Sequence, residues 1–283
     1  MTSAPLDSPI SRAFEMVADG PNRSIMVREE FSNAPNALPP EKGFPFGGLL
    51  AALSAKAMAE GLGIEAPLQS LTVQYLAAAK FGQPLTFAPT LLRQGRQVSF
   101  ARLDARQGDR LTHTANATFG FDGPSVDPLR EKTRIPVSPH GLTLSEGMRG
   151  PFSPRFASHI EYRFERGPNI FGGNKNHPKR EGAWMRFEDG QPLDVYRLCY
   201  LMDALYPPAT TAFERPMVLT SVDLRYDIIN HPDPTNTPGG WAFLEFDLIE
   251  HDREWSIDDV TVWSESGVVL AVGRQRRRVL NRK

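Results

Sequence analysis

The sequence predicts an α+β fold in which two similar halves each combine one buried helix with several antiparallel strands. One observation is a recurring motif, because Ser70–Tyr75 returns in the second half as Ser221–Tyr226 with the same serine and tyrosine. The other is that each half contains an apolar helix-like run followed by four strand-like runs. The spacing between the copies grows along the chain, which indicates insertions in the second half. We expect the larger one to enlarge a hairpin loop at Asn230–Gly240, where proline and glycine favour turns.

The first half opens with a short strand-like run at Ser24–Val27 and then reaches its helix. Phe46, Gly47 and Gly48 precede the helical run Leu49–Glu60, and Gly61 is expected to stop it. Alanine and leucine dominate this run on nearly all sides, so we expect the helix to be buried. The strand-like runs that follow are Ser70–Leu76, Leu85–Arg93, Gln97–Arg106 and Leu111–Phe121.

The second half repeats this order. A helix is expected from about Asp194 to Leu205, with Pro207 and Pro208 ending it. Two strand-like runs precede it and four follow it: His159–Phe164, Ala183–Phe187, Leu219–Ile229, Trp241–Glu250, Trp255–Ser264 and Val268–Val279. Because prolines are frequent between the halves, we predict domains at residues 1–122 and 155–283 and a proline-rich connector at residues 123–154.

The composition limits the classes of partner. With 32 basic and 33 acidic residues the net charge is −1, so bulk attraction to nucleic acid or to an anionic membrane is not expected. No signal peptide and no apolar stretch of membrane-spanning length is recognisable, which favours a cytoplasmic protein. Cys199 is the one cysteine and lies in an apolar run, so we interpret it as a buried structural thiol.

Six short segments carry a resemblance to a known family. They are Phe46–Gly48, Leu92–Phe100, Thr112–Phe119, Tyr200–Asp203, Leu219–Asp223 and Gly267–Gln275. In their order and spacing the chain resembles the acyl-CoA thioesterase II family across nearly its full length. The resemblance implies a double hotdog, in which each repeat has a long buried helix wrapped by a curved antiparallel sheet. It also implies hydrolysis of acyl-CoA to free fatty acid and CoA, no cofactor or metal ion, and a homodimer or homotetramer.

The resemblance assigns water activation to Asp203, Ser221 and Gln275. A carboxylate inside an apolar helical run needs hydrogen-bond partners or contact with water, and Asp203 is such a carboxylate. An ionised carboxylate only accepts hydrogen bonds, which suits it to orient a water molecule and take its proton. The free N–H groups near Gly47 and Gly48 suit a developing oxyanion, although a tight loop-to-helix turn explains these glycines equally well.

The repeat predicts one working site per chain. In the register of the sequence, Ser221 corresponds to Ser70 and Gln275 to Asn116, but the first helix has no acidic residue before Glu60. We therefore expect Asp203 to face the glycine segment of the other half.

Some features leave alternatives open. Arg93, Arg96 and the four arginines at 274 and 276–278 suit CoA phosphates or a solvated face, and none is assigned. Leu49 stands where the family commonly has glutamine, and Trp255 where it usually has a smaller residue, so these residues could narrow the acyl pocket or remodel its entrance. The alternative function is a non-catalytic acyl-CoA-binding or scaffolding double hotdog protein. The sequence has neither a Gly-x-Ser-x-Gly nor a His-Glu-x-x-His pattern.

Overall fold

The computed structural model describes residues 8–123, 136–170, 172–173, 179–215 and 217–280. In this part of the chain a single antiparallel sheet of twelve strands packs against the two longer helices. The helices are α1 (Pro9–Arg12), α2 (Gly47–Leu62) and α3 (Val195–Leu201). The strands of the first half are β1 (Val17–Asp19), β2 (Asn22–Ile25), β3 (Leu68–Tyr75), β4 (Leu85–Gln94), β5 (Val98–Gln107) and β6 (Arg110–Gly120). Those of the second half are β7 (Ile160–Arg166), β8 (Arg180–Phe187), β9 (Val218–Ile228), β10 (Ala242–Asp252), β11 (Trp255–Trp263) and β12 (Val269–Leu280).

The predicted α+β class is confirmed, and each predicted strand is present within a few residues of its expected bounds. The first part of the predicted connector, residues 124–135, lies outside the described residues. The rest of it contains short 3-10 turns, at Pro139–Gly141 and Glu146–Arg149. No helix among the described residues is long and apolar enough to cross a membrane.

Helix α2 is buried along most of its length, as its composition predicts. Eleven of its residues are buried, from Gly48 to Ala59, and all of these except Gly48 and Ser54 belong to one hydrophobic core that also contains residues of α3. The helix ends two residues later than expected, because Gly63 and not Gly61 adopts the left-handed conformation that stops it. Gly61 stays helical, and a side chain there would collide with the carbonyl oxygen of Pro21.

The strands follow the order β1-β2-β4-β5-β6-β3-β9-β12-β11-β10-β8-β7. Strand β9 therefore pairs with β3 and β12, and not with β10. The expectation of a hairpin loop at Asn230–Gly240 is wrong, since this segment crosses from β9 over two strands to β10. Both edges of β9 are already occupied, so the chain must leave it by a crossover. In the first half β3 and β4 are separated in the same way.

The two halves join where β3 pairs with β9. In this antiparallel pair Val73 lies opposite Leu224, and these two residues are also counterparts of each other in the sequence repeat. A residue that pairs with its own counterpart marks a local two-fold axis. This two-fold axis therefore relates the two copies of the repeat in space. Each inward-facing position of one half can be compared with the corresponding position of the other half.

Helix α3 is shorter than the predicted Asp194–Leu205 segment. Asp194 caps its N-terminus, with its carboxylate accepting a hydrogen bond from the Arg197 N–H at 2.8 Å. After Leu201 the backbone tightens into turns, in which the Asp203 N–H bonds the Tyr200 carbonyl at 3.3 Å. Cys199 is buried in this helix, and burial raises the pKa of its thiol to about 12, in agreement with a structural role.

Candidate active site

Asp203 lies just after α3 and points toward the inner face of the sheet. Its side chain is only 4% exposed, and its Oδ1 accepts hydrogen bonds from Gln275 Nε2 at 2.6 Å and from Arg277 Nη2 at 3.3 Å. The backbone N–H of Gly48 donates a further hydrogen bond to this carboxylate. The tightened turn after α3 thus holds a buried, multiply hydrogen-bonded acid between the two halves.

Gln275 is brought to Asp203 by the alternation of β12. It is buried while its neighbours Arg274 and Arg276 are exposed, which is the pattern of a strand with one face on the core. Its amide nitrogen also donates to the Tyr226 hydroxyl at 3.3 Å. Asn116 is not its counterpart, because Asn116 is exposed and pairs with Thr72, so that correspondence was one residue out of register.

Ser221 reaches the inner face through a β-bulge. The pairing of β9 with β12 shifts between Asp223 opposite Arg276 and Ser221 opposite Arg277. The extra residue in β9 reverses the alternation, so Ser221 turns inward beside Arg277. Its hydroxyl accepts a hydrogen bond from Arg277 Nη1 at 3.2 Å and is joined to Asp203 through that guanidinium.

Gly47 and Gly48 face Asp203 from the first turn of α2, and their missing side chains allow the close approach. A Cβ at Gly47 would lie 2.9 Å from Asp203 Oδ2, and a Cβ at Gly48 would lie 2.7 Å from the Tyr200 carbonyl oxygen. The Tyr75 hydroxyl donates to the Gly47 carbonyl at 2.7 Å. The structure therefore brings together four of the predicted residues directly and Ser221 through Arg277.

The electrostatics of the cluster are dominated by burial. Burial raises the pKa of the Asp203 carboxyl above its usual value, while Arg277, Gln275 and the Gly48 N–H act in the opposite direction. Burial and the nearby Asp203 charge also raise the pKa of Tyr75 well above the usual range for tyrosine. Tyr226 is shifted upward for the same two reasons. Both hydroxyls therefore stay protonated and neutral.

Arg277 and Asp258 belong to the cluster but were not predicted as site residues. Arg277 donates from Nε to Asp258 Oδ2 at 3.0 Å, and Ser256 Oγ donates to Asp258 Oδ1 at 3.2 Å. One signal in the sequence points to Arg277, because Gln275 and Arg277 are two residues apart on a strand and therefore share a face. Asp258 offers no comparable signal, since it lies beside the similar but outward-facing Asp259.

The arginines, Trp255 and Leu49, to which the sequence assigns no definite role, lie in different parts of the structure. Arg277 is buried among carboxylates, whereas Arg274 pairs with Asp259 on the outer face. Trp255 packs against Arg276 and Arg278 on that same face, so it cannot narrow a site on the inner face. Leu49 is part of the hydrophobic core. Arg93 and Arg96 border a groove of about 340 Å³ at the β4–β5 turn, which shares no residue with the Asp203 cluster.

The arrangement provides a carboxylate that can take a proton, hydrogen-bond donors around it, and the N-terminus of a sixteen-residue helix. These are the parts that general-base attack of water on a carbonyl needs. Among the described residues no group of three histidine, cysteine, aspartate or glutamate side chains is placed to hold a metal ion.

Two family models match the chain. Residues 35–120 match the acyl-CoA thioesterase N-terminal domain, and residues 136–279 match the acyl-CoA thioesterase C-terminal domain. The second match alone covers more than half of the 283 residues. Among curated proteins, none matches the sequence.

Solved structures show the same fold at low identity. A conserved hotdog-fold protein from Alicyclobacillus acidocaldarius is 20% identical, with a TM-score of 0.84, and the match covers 98% of this chain and 100% of that one. A tesB protein from Mycobacterium avium is 18% identical, with a TM-score of 0.73 and coverage of 96% and 98%. An acyl-CoA thioesterase II from Mycobacterium marinum is 13% identical, with a TM-score of 0.71 and coverage of 96% and 97%. The chain therefore has the hotdog fold.

Proposed function

Since the chain belongs to the acyl-CoA thioesterase family, we propose that it hydrolyses acyl-CoA to a free fatty acid and CoA with Asp203 as the general base. The observation that carries this proposal is the buried Asp203 carboxylate, which Gln275 contacts at 2.6 Å and which faces the first turn of α2. Ser221 and Gln275 are the proposed partners that orient the attacking water. Hydroxyl and amide groups suit this role because each can donate and accept.

In the proposed reaction, the water oxygen forms a bond to the thioester carbonyl carbon while Asp203 takes a proton from the water. The carbonyl oxygen becomes an oxyanion in the tetrahedral intermediate. The carbon–sulfur bond then breaks, and the CoA sulfur leaves with the proton that Asp203 held. The carboxylate is regenerated, and no cofactor is consumed.

We place the oxyanion at the N-terminus of α2. The first N–H groups of a helix have no partner inside it, and the helix dipole favours negative charge there. The Gly48 N–H is already directed at Asp203, which leaves the Gly47 N–H as the donor from this glycine pair. Gly47 and Gly48 thus have different proposed roles, one toward the substrate and one toward the base.

We further propose that the two halves are two hotdog units, residues 1–122 and 155–283, joined by the connector 123–154. The two-fold relation at Val73 and Leu224 supports this division. Strands β1 and β7 end the sheet, and unpaired strand edges are a physical reason for copies of a protein to associate. A homodimer or homotetramer is therefore proposed, and light scattering of the purified protein would measure it.

The pH dependence of hydrolysis follows from the pKa of Asp203. The general base must be ionised, and burial raises its pKa, so kcat/KM should fall as the pH is lowered through that raised value. We expect the midpoint of this acid limb to lie above the ordinary pKa of an aspartate. A pH profile of kcat/KM measures it, and a rate that stays constant down to the ordinary aspartate pKa would contradict the assignment.

The function itself is tested by thiol release from acyl-CoAs of increasing chain length. Hydrolysis of at least one of them supports the enzyme. The alternative, a non-catalytic acyl-CoA-binding or scaffolding double hotdog protein, predicts binding by calorimetry without release of free CoA from any of them. Chain-length preference is read from the same series.

A further inference from the structure

We infer that Arg277 and Asp258 form a buried pair that positions the Asp203 carboxylate and the Gln275 amide for hydrolysis. This inference rests on the proposed function of Asp203 and deepens it. The two residues are positioning residues, because neither is proposed to touch the reacting atoms. Arg277 would act on Asp203 and Gln275, and Asp258 would act on Arg277.

The contacts of Arg277 reach every residue proposed to activate water. One terminal nitrogen, Nη2, bonds both Asp203 Oδ1 at 3.3 Å and the Gln275 side-chain oxygen. The other, Nη1, bonds the Ser221 hydroxyl at 3.2 Å. Because Arg277 takes the oxygen of the Gln275 amide, the amide nitrogen must point to Asp203. A planar guanidinium thus fixes the orientation of three side chains at once.

Asp258 holds the guanidinium from the opposite side. Asp258 lies on β11, and its Oδ2 accepts a hydrogen bond from Arg277 Nε at 3.0 Å. Its Oδ1 accepts a hydrogen bond from Ser256 Oγ. Both side chains of the pair are nearly inaccessible, with 6% exposure for Arg277 and 1% for Asp258. A buried arginine between two carboxylates is held in its position, since moving either partner would leave a charge unpaired.

The local two-fold axis shows that the sheet itself does not need this pair. Leu224 pairs with Gln275, and its counterpart Val73 pairs with Ala115, so Ala115 stands where Gln275 stands in the other half. By the same strand pairings Leu103 corresponds to Asp258. Two residues further along, Ala117 corresponds to Arg277 and Ala101 to Ser256.

All four counterparts in the first half are buried and apolar. The same positions of the same fold are therefore built once from alanine and leucine and once from an ionic cluster. Since buried ion pairs often stabilise a protein less than apolar residues of similar size, folding alone gives no reason for the cluster. Its position at Asp203 gives one.

The titratable and charged groups around Arg277 come from five elements. They are Asp203 after α3, Asp258 on β11, Tyr226 on β9, Tyr75 on β3 and His251 on β10, which acts on Asp258. Arg277 is the cation that forms an ion pair with Asp203, at 3.3 Å. Its removal should favour the protonated form of Asp203 and shift the acid limb of kcat/KM to higher pH.

The experiment compares the variants Arg277→Met, Arg277→Lys and the double variant Asp258→Leu/Arg277→Ala, which installs the residues of the other half. Arg276→Met is the matched control, because Arg276 is the neighbouring arginine on the outer face. We expect Arg277→Met to lower kcat by about 10²-fold, the scale of a small misplacement of catalytic groups, and to shift the acid limb upward. Arg277→Lys should restore part of both, and Arg276→Met should leave both unchanged.

The double variant keeps the test valid if Arg277→Met fails to fold, because it removes the Asp258 carboxylate together with its arginine and so leaves one fewer buried charge without a partner. It is expected to unfold at a temperature no lower than that of Arg277→Met and to show the same loss of turnover. Wild-type kcat and pH profile in both Arg277→Met and the double variant would overturn the inference. Asp203→Asn is measured alongside: if it is inactive the proposed function stands whatever Arg277 does, and if it is fully active both fail.

Discussion

Replacement of Asp203 by Asn is expected to lower kcat for acyl-CoA hydrolysis by about 10²- to 10⁴-fold, the contribution of a positioned general base. Asparagine keeps the size and one oxygen, so Gln275 and Gly48 can still donate to it. It cannot take the proton of the attacking water, because a neutral amide is a very weak base. Initial rates of thiol release at saturating acyl-CoA measure the effect.

The fold should survive this substitution. Burial raises the pKa of Asp203, so its ionised form is less favourable in the folded chain than in the unfolded one. Its contribution to stability is therefore present at low pH and is lost as the pH rises through the raised pKa. At neutral pH we expect Asp203→Asn to unfold at the wild-type temperature or above it, as measured by circular dichroism.

Asp259→Asn is the matched control, since it also replaces one carboxylate by an amide, but on the outer face of β11, where Asp259 pairs with Arg274. It should retain wild-type turnover. Equal turnover in Asp203→Asn and the wild type would remove Asp203 from the mechanism. Equal loss in both variants would show that net charge, and not the site, controls the rate.

Replacement of Gly48 by Ala should both destabilise the protein and abolish most of its activity. An alanine in a helix is normally favoured over glycine by about 1 kcal/mol. Here the new Cβ would lie 2.6 Å from the Phe46 ring and 2.7 Å from the Tyr200 carbonyl oxygen, and Phe46 is itself stacked on Phe156. We expect the free energy of unfolding to fall by about 1–3 kcal/mol, the range for overpacking a dense core.

Activity should fall with it, because the Gly48 N–H and the turn that holds Tyr200 both position Asp203. Urea unfolding and thiol release measure the two effects. Gly141→Ala is the control, since a Cβ at Gly141 meets nothing within 4 Å. An unchanged or increased free energy of unfolding in Gly48→Ala would show that α2 and α3 can separate at this contact without cost.

Much of the fold could be predicted from local patterns. The apolar run after Gly48 predicts helix α2, and the alternation of apolar and polar residues predicts the strands. Both predictions work because the way an element is buried determines the pattern of apolar residues along it. The stop of α2 falls two residues later than predicted, because Gly63 and not Gly61 adopts the left-handed conformation, and the residue pattern does not show that the chain tightens into turns after Leu201. The crossover after β9 was missed for a similar reason: loop composition shows that the chain turns but not which strand it reaches next.

Family spacing and strand alternation predict part of the candidate site. Asp203 and Gln275 do lie in contact, and Gly48 faces the carboxylate. The bulge at Val222, which turns Ser221 inward, has no clear signature in the sequence. Arg277 is one of four arginines on β12, and only the phase of that strand separates it from the less buried Arg274, Arg276 and Arg278.

The pairing of Val73 with Leu224 has a consequence for how such a site can arise. When two identical chains meet across a two-fold axis, every substitution occurs twice, so a buried ionic cluster and its desolvation cost are duplicated. A single chain that contains both copies is free of this constraint. One copy can then keep alanine and leucine at the inner positions and preserve stability, while the other carries the charges. Asymmetry between the halves is thus what a fused gene permits and a symmetric dimer forbids.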